Sequence, residues 1–190
     1  MKFVQKEFSS TFEEKKSKFI AHLCPFPLFD EIMKRLKEEH PKARHHVYAY
    51  RYLNEFDQIV ENSSDDGEPK GTSGKPCLSV LAGSDLINTA VIVVRYFGGV
   101  KLGTGGLVRA YSDAVNHVIK EAQLNEFLKL EQKSITLSYA QLSQLEYLLS
   151  RHKISIIDKL FEEGVTLKLE GTQEQFGLLE TLLPLNVTLQ

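Results

Sequence analysis

The amino-acid sequence predicts an α+β protein of two consecutive domains, residues 1–129 and 130–190. Two observations lead to this prediction. The first part contains segments with the alternating pattern of strands and segments with apolar residues at helical spacing. They surround one predicted strand in which every residue is apolar. The second part has the order strand, helix, strand, strand, helix, strand, which is the βαββαβ order of a ferredoxin-like domain. Residues 125–129 lie between the two patterns and form the predicted boundary.

The first domain begins with a predicted β-hairpin at residues 8–23, whose turn falls in the charged segment 13–17. Apolar residues at helical spacing predict a helix over residues 30–40, and a proline follows it directly. Residues 45–53 alternate between two sets of side chains, as a strand does. Residues 56–60 are the predicted partner of that strand.

The remainder of the first domain centres on a buried strand at residues 90–94, a β-branched run without polar interruption. Before it, the Asp, Gly, Pro and Ser content of residues 61–76 predicts an irregular loop, followed by a short helix at residues 76–82. After it, residues 98–106 form a glycine-rich loop. An apolar stripe over residues 107–122 then predicts an amphipathic helix.

The second domain has six predicted elements. In order they are a strand at residues 135–139, a helix at 142–149, strands at 154–161 and 165–169, a helix at 176–183, and a short edge strand containing Val187 and Leu189.

The glycine-rich loop is the first candidate site. Glycine is unfavourable in an ordered chain unless the backbone needs a positive φ or a close approach, and five glycines in nine positions call for such a reason. A helix N-terminus with accessible N–H groups binds anions, and Arg95, Lys101 and Arg109 supply positive charge beside it. The alternative is a tight crossover whose glycines only permit close packing. The glycines are Gly98, Gly99, Gly103, Gly105 and Gly106.

Neither the P-loop pattern nor the dinucleotide-binding pattern fits this loop. Thr104 and Gly105 follow Gly103 where a P-loop requires lysine and serine or threonine. Val108 stands where the dinucleotide pattern requires its third glycine.

The loop before the short helix is the second candidate site. Its carboxylates are Asp65, Asp66 and Glu68, which suit a magnesium ion held together with a ligand phosphate, but equally suit solvated turns or ion pairs with the three cations above. The helix start that follows offers a second anion site with hydroxyls and a cation. The residues of that second site are Thr72, Ser73, Gly74 and Lys75.

The strand at residues 45–53 contributes His45, Tyr48 and Tyr50 to a possible cleft with the three carboxylates Asp65, Asp66 and Glu68. The tyrosines on one strand face resemble a stacking surface for single-stranded RNA, and they equally suit a surface that covers a neighbouring helix. His45 shares its face with apolar residues, which favours a packing role. The sequence contains no nucleophile elbow and no pair of metal ligands at a familiar spacing, so an enzyme is the less favoured class.

Composition is that of an ordinary globular protein, with 42% hydrophobic and 25% charged residues. No apolar run approaches the roughly 20 residues that span a bilayer, and the charged first residues do not fit a signal peptide. Two cysteines suggest reduced thiols in a cytoplasmic protein. The net charge is −2. Because residues 130–190 hold five Lys or Arg and eight Asp or Glu, any phosphate-binding surface is expected in the first domain.

Three separated segments carry a family resemblance: ARHHVYAYR from Ala43, DDGEPKGTSGKP from Asp65, and RYFGGVKLGTGGLVRAYSDA from Arg95. Their residues and order resemble the IMPACT family, in particular its bacterial YigZ-like branch. The resemblance implies a first domain similar to domain 2 of ribosomal protein S5 and a second domain similar to domains of elongation factor G. It also implies a link to translation, because eukaryotic relatives regulate translation initiation through protein contacts.

We therefore expect a cytoplasmic, translation-related binding protein whose glycine-rich cleft holds a phosphate-like anion of RNA, the ribosome or a protein partner. The prediction includes no cofactor, no metal ion and no membrane association. Two alternatives stay open: an enzyme acting on a small phosphorylated or acidic metabolite, and a protein-interaction module whose glycines are structural.

Overall fold

The computed structural model describes residues 1–184 and 189, and it has the predicted α+β class. The chain forms two compact units, Met1–Phe127 and Leu128–Gln190. Among the described residues, no helix is both long and apolar enough to cross a membrane.

The first unit is built on a five-stranded sheet in which every neighbouring pair of strands is antiparallel. The elements along the chain are β1 (Lys2–Phe3), β2 (Phe8–Glu14), β3 (Ser17–Pro25), α1 (Phe29–Glu39), β4 (His45–Leu53), β5 (Ile59–Ser64), α2 (Gly74–Gly83), β6 (Thr89–Tyr96), α3 (Gly103–Glu121) and β7 (Asn125–Glu126). The sheet order is β2-β3-β6-β4-β5. Strands β1 and β7 pair separately as a short ribbon.

Strand β6 lies at the centre of the sheet, and its first seven residues are buried. One sheet face packs against α2 and α3, in a core that includes Phe19, Val47, Val93 and Tyr111. The other face packs against α1 through Ile32 and Leu36. This two-sided burial explains why the strand has no polar interruption, as the sequence predicts.

Several boundaries in the first unit differ from the prediction, and three of the differences bear on the candidate site. Strand β5 continues to Ser64, so residues 61–64 are not loop, because their backbone pairs with β4 as far as Tyr48. Helix α2 begins two residues before Pro76. Helix α3 begins at Gly103, so the last four residues of the predicted loop are its first helical turn.

The second unit contains β8 (Glu131–Leu137), α4 (Tyr139–Arg151), β9 (Ser155–Phe161), β10 (Val165–Gly171) and α5 (Gln173–Leu182). The sheet order is β8-β10-β9, and Leu189 adds an antiparallel bridge to Ile135 of β8. This is the ferredoxin-like arrangement. Tyr139, predicted at the end of a strand, is the first residue of α4. The remainder of the predicted last strand, including Val187, lies outside the described residues.

We predict that a fragment of residues 1–129 folds on its own, because each unit has its own buried apolar cluster. A fragment of residues 130–190 should be less stable, since a domain of roughly 60 residues buries only about 60% of its chain surface. Circular dichroism and thermal unfolding of both fragments test this. Loss of cooperative unfolding in the larger fragment would contradict it.

Candidate functional site

The three sequence segments that carry the resemblance meet in a buried polar network around Glu68. Its carboxylate accepts hydrogen bonds from the Arg95 guanidinium and, at 2.9 Å, from the Tyr111 hydroxyl. The His45 Nε2 atom lies 3.8 Å from the same carboxylate oxygen. The side chains of Glu68 and Arg95 are only 4% and 7% exposed. The network therefore joins β4, the loop before α2, β6 and α3.

Backbone register brings these residues together. His45 lies opposite Arg95 in the β4–β6 pair, so both side chains stand on the sheet face that α2 and α3 cover. Tyr111 reaches them from the buried side of α3. Burial raises the pKa of the Tyr111 phenol, and the Glu68 carboxylate raises it further, so Tyr111 keeps the proton that it donates.

Asp65 is a cap for α2. Its carboxylate accepts backbone N–H bonds from Gly71 at 2.7 Å, Ser73 at 3.1 Å and Gly74 at 2.8 Å, and a hydroxyl bond from Ser73 at 2.8 Å. Burial alone raises the pKa of Asp65, but these hydrogen bonds outweigh it and the pKa lies below its usual value. The Asp65 carboxylate thus accepts hydrogen bonds from the groups that the sequence predicts as donors to a second anion.

Of the other residues predicted at that helix start, Thr72 is also engaged, because its hydroxyl donates to the Pro69 carbonyl at 2.6 Å. The Lys75 side chain is exposed. The anion position predicted at Thr72, Ser73, Gly74 and Lys75 is therefore filled by the protein's own Asp65 carboxylate.

Asp66 fixes the start of β4. Its carboxylate accepts the His46 N–H at 2.6 Å, and its carbonyl accepts a hydrogen bond from the His45 Nδ1 atom at 2.8 Å. All three carboxylates of this loop therefore have donors within the protein. Of the alternatives left open by the sequence, the geometry favours pairing, with Arg95 as the partner of Glu68.

The tyrosines lie on the opposite face of the sheet from His45. Tyr48 and Tyr50 pack against Phe29 of α1, with ring centres 5.1 and 5.3 Å apart. Tyr52 stacks on Phe26 at 4.1 Å. The predicted single cleft is therefore wrong for Tyr48 and Tyr50, because the strand alternation places the sheet itself between them and His45, whereas His45 does lie beside Asp66 and Glu68. The rings cover α1 and the turn before it.

The glycine-rich segment remains accessible at the start of α3. Gly99 and Gly103 have φ angles of 85° and 73°, and both are exposed. The residue before the helix, Leu102, has an apolar side chain that cannot cap α3, whereas the Asp65 carboxylate caps α2. Lys101 and Arg109 are exposed and form no ion pair with any other described residue. Arg95 is not available beside them, because Glu68 holds it.

Gly98 has a packing role. A Cβ atom placed on it would lie 2.0 Å from the Lys16 carbonyl carbon, and its N–H donates to the Ser17 hydroxyl at 3.1 Å. The packing interpretation of the loop therefore applies to Gly98. Gly98 permits a close crossover, whereas a Cβ on Gly99, Gly103 or Gly105 would meet no other atom within 4 Å.

Sequence reasoning missed two parts of this region. It placed Tyr111 only in an apolar stripe, although a buried tyrosine hydroxyl requires a partner and that requirement was a usable signal. It also did not connect the Lys15–Lys16 turn with the glycine-rich segment, because the contact joins residues about 80 positions apart along the chain.

Comparison with known proteins defines the class of this α+β protein. A family model described as the Impact N-terminal domain matches residues 15–119. The chain belongs to the IMPACT family. It is 39% identical over 176 residues to an IMPACT family member of Haemophilus influenzae, covering 87% of this chain and 84% of that protein.

Within the family the chain is similar to bacterial members. It is 38% identical over 159 residues to IMPACT family member YigZ of Escherichia coli, covering 82% of this chain and 78% of the relative. A crystal structure described as that of a hypothetical protein has a TM-score of 0.64 at 32% identity, with 99% and 95% of the two chains covered. The rat Protein IMPACT is 34% identical over 96 residues, which span 30% of that protein.

Proposed function

We propose that this protein is a cytoplasmic, translation-related binding protein that holds a phosphate group of its partner at the start of α3. Membership of the IMPACT family supports the link to translation. The phosphate would be received by the free N–H groups of the first helical turn, with Lys101 and Arg109 adding charge. The helix field contributes only about 0.3–1 kcal/mol, so the two side chains are needed for useful affinity.

The observation that carries this proposal is Gly105. It lies in the first turn of α3 without a positive φ, and a Cβ atom there would meet nothing within 4 Å. The fold itself does not require glycine at this position, and alanine is more favourable in a helix by up to about 1 kcal/mol. A ligand that approaches the backbone closely gives a reason for glycine, since a methyl group would obstruct it.

The replacement Gly105→Ala is therefore expected to raise the free energy of unfolding by about 0.5–1 kcal/mol while weakening phosphate binding about tenfold. Phosphate titration followed by the amide resonances of residues 98–109 measures the binding, and urea unfolding measures the stability. The matched control is Gly177→Ala in α5, where a Cβ also meets nothing within 4 Å. That variant should gain stability and keep wild-type binding. Equal phosphate affinity in all three proteins would reject the site.

The kind of partner is identified by recovery from a lysate at low salt, with and without nuclease. Nuclease-sensitive recovery of ribosomes or RNA supports a nucleic-acid partner. Nuclease-resistant recovery of a protein alone would instead indicate a protein-interaction module.

A further inference from the structure

The β2–β3 turn carries two lysines in an unfavourable backbone conformation. Lys15 and Lys16 have φ angles of 46° and 63°, and the two strands pair directly on either side of them. A two-residue turn of this kind favours Asn-Gly, because side chains other than Asn, Asp and Gly are strained at positive φ. Lysine is therefore not the residue that the turn itself prefers, at either position.

This turn is fixed against the glycine-rich segment. Gly98 packs so closely on Lys16 that any Cβ would overlap its backbone, and Gly98 also donates a hydrogen bond to the buried Ser17 hydroxyl. The position of both lysines relative to the start of α3 is thus set by direct contacts.

Between the turn and α3 lies a groove of about 120 Å³. Its charged lining consists of Lys15 and Arg109, which face it from the two elements, together with Glu14 and Asp113. None of these four forms an ion pair with a described residue. Its other lining residues are Phe12, Leu102, Gly106 and Ala110.

Two further cations are close to the groove along the chain. Lys16 is the neighbour of Lys15 in the turn, and Lys101 precedes α3. The turn and the start of α3 therefore carry four cations against the two carboxylates of the lining, which is an excess of positive charge. A single phosphate at the start of α3 would not contact the lysines of the turn. A chain of phosphates that lies along the groove would contact them.

An exposed aromatic ring directly precedes Gly98 in the chain. Phe97 is 47% exposed, and the Arg95 guanidinium lies 5.9 Å from the centre of its ring. Unpaired bases stack on such rings, whatever their sequence. Paired bases within a duplex are not available for this contact.

We propose that the β2–β3 turn and the start of α3 form one surface that binds single-stranded RNA, with Lys15 and Lys16 contacting phosphates adjacent to the one held at α3. This inference rests on the proposed function, because it extends the same phosphate site. It adds the turn lysines to that site and makes the partner a polyanion.

The test uses the full chain and a short fluorescent oligouridylate, with affinity measured by anisotropy over a range of salt concentrations. The double variant Lys15→Asn, Lys16→Gly relieves the strained turn and should therefore unfold at a higher temperature than wild type. It should nevertheless bind RNA at least about tenfold more weakly at low salt. Its slope of log affinity against log salt should fall by about 1.4, since each phosphate contact contributes about 0.7 with single strands.

The control removes the same charge elsewhere. Lys153 also has a positive φ, 56°, and Lys168 is exposed on β10. The variant Lys153→Asn, Lys168→Gln should retain wild-type affinity and salt slope.

The outcomes separate the two proposals. If the wild-type protein binds neither phosphate nor oligouridylate, the proposed function itself fails. If it binds phosphate at α3 but not oligouridylate, the RNA assignment is overturned and the phosphate site stands. If it binds oligouridylate but the turn variant keeps the wild-type slope, the turn lysines do not contact phosphate and this inference is wrong.

Discussion

Replacing Arg95 by methionine is expected to lower the free energy of unfolding by about 3–5 kcal/mol. The reason is the buried carboxylate that remains. The Glu68 side chain is 4% exposed. Without the guanidinium its carboxylate keeps the Tyr111 hydroxyl bond and the more distant His45 Nε2 atom at 3.8 Å, but no cation in hydrogen-bond contact among the described residues. An uncompensated buried charge is far less favourable than the intact pair. Urea unfolding followed by circular dichroism measures the loss.

A double variant and a surface control make this test specific. Glu68→Gln combined with Arg95→Met removes both charges, so the loss should be smaller than the sum of the two single losses. Glu146→Gln breaks the exposed ion pair with Lys159, whose nitrogen and oxygen lie 2.6 Å apart, and should change the stability by less than about 1 kcal/mol. A loss of similar size from Glu146→Gln and Arg95→Met would show that burial is not the cause.

This network assigns a structural role to residues whose types suggest chemistry. Glu68 supports α3 and β6, and Asp65 caps α2. Substitution of Glu68 would therefore weaken the proposed phosphate site indirectly, by removing a support of α3. Variants at surface positions, such as Gly105 and the turn lysines, report on the proposed site directly.

The sequence predicts the elements that local patterns determine. The apolar run at residues 90–94 lies within β6, and the alternation of residues 45–53 coincides with β4. The hairpin also forms as predicted, with Phe12 opposite Phe19. In each case one face or both faces of a strand pack on helices, so burial leaves a periodic trace in the sequence.

The differences arise where strand pairing and specific hydrogen bonds, and not hydrophobic periodicity, decide the structure. Residues 61–64 have loop composition, but pairing with β4 makes them a strand. The sequence predicts that the N–H groups at the start of α2 are available to an anion, but in the fold they donate to the Asp65 carboxylate. The sequence likewise predicts Arg95 as a ligand of the anion, but in the fold its guanidinium donates to Glu68. Hydrogen-bond partners of this kind leave no periodic trace.

The approach of Gly98 to the β2–β3 turn is a further non-local contact, and the replacement Gly98→Ala is expected to destabilise the protein strongly. The added methyl carbon would lie 2.0–2.2 Å from three backbone atoms of Lys16 and Ser17. Backbone atoms cannot move aside as the end of a flexible side chain does. The turn or the start of the glycine-rich segment must therefore shift, which also breaks the hydrogen bond from the Gly98 N–H to Ser17.

We expect the Gly98→Ala variant to lose about 3 kcal/mol of stability, the upper part of the usual range for overpacking. Its amide resonances should change at residues 15–17 as well as at 98–106, because both sides of the contact move. Gly105→Ala adds the same methyl group seven positions away and should stabilise the protein. The opposite signs test the division of the glycine-rich segment into a packed glycine and a glycine that the fold does not require. A Gly98→Ala protein as stable as wild type would mean that β2–β3 is not fixed against this segment, and the surface formed by the turn and α3 would lose its structural basis.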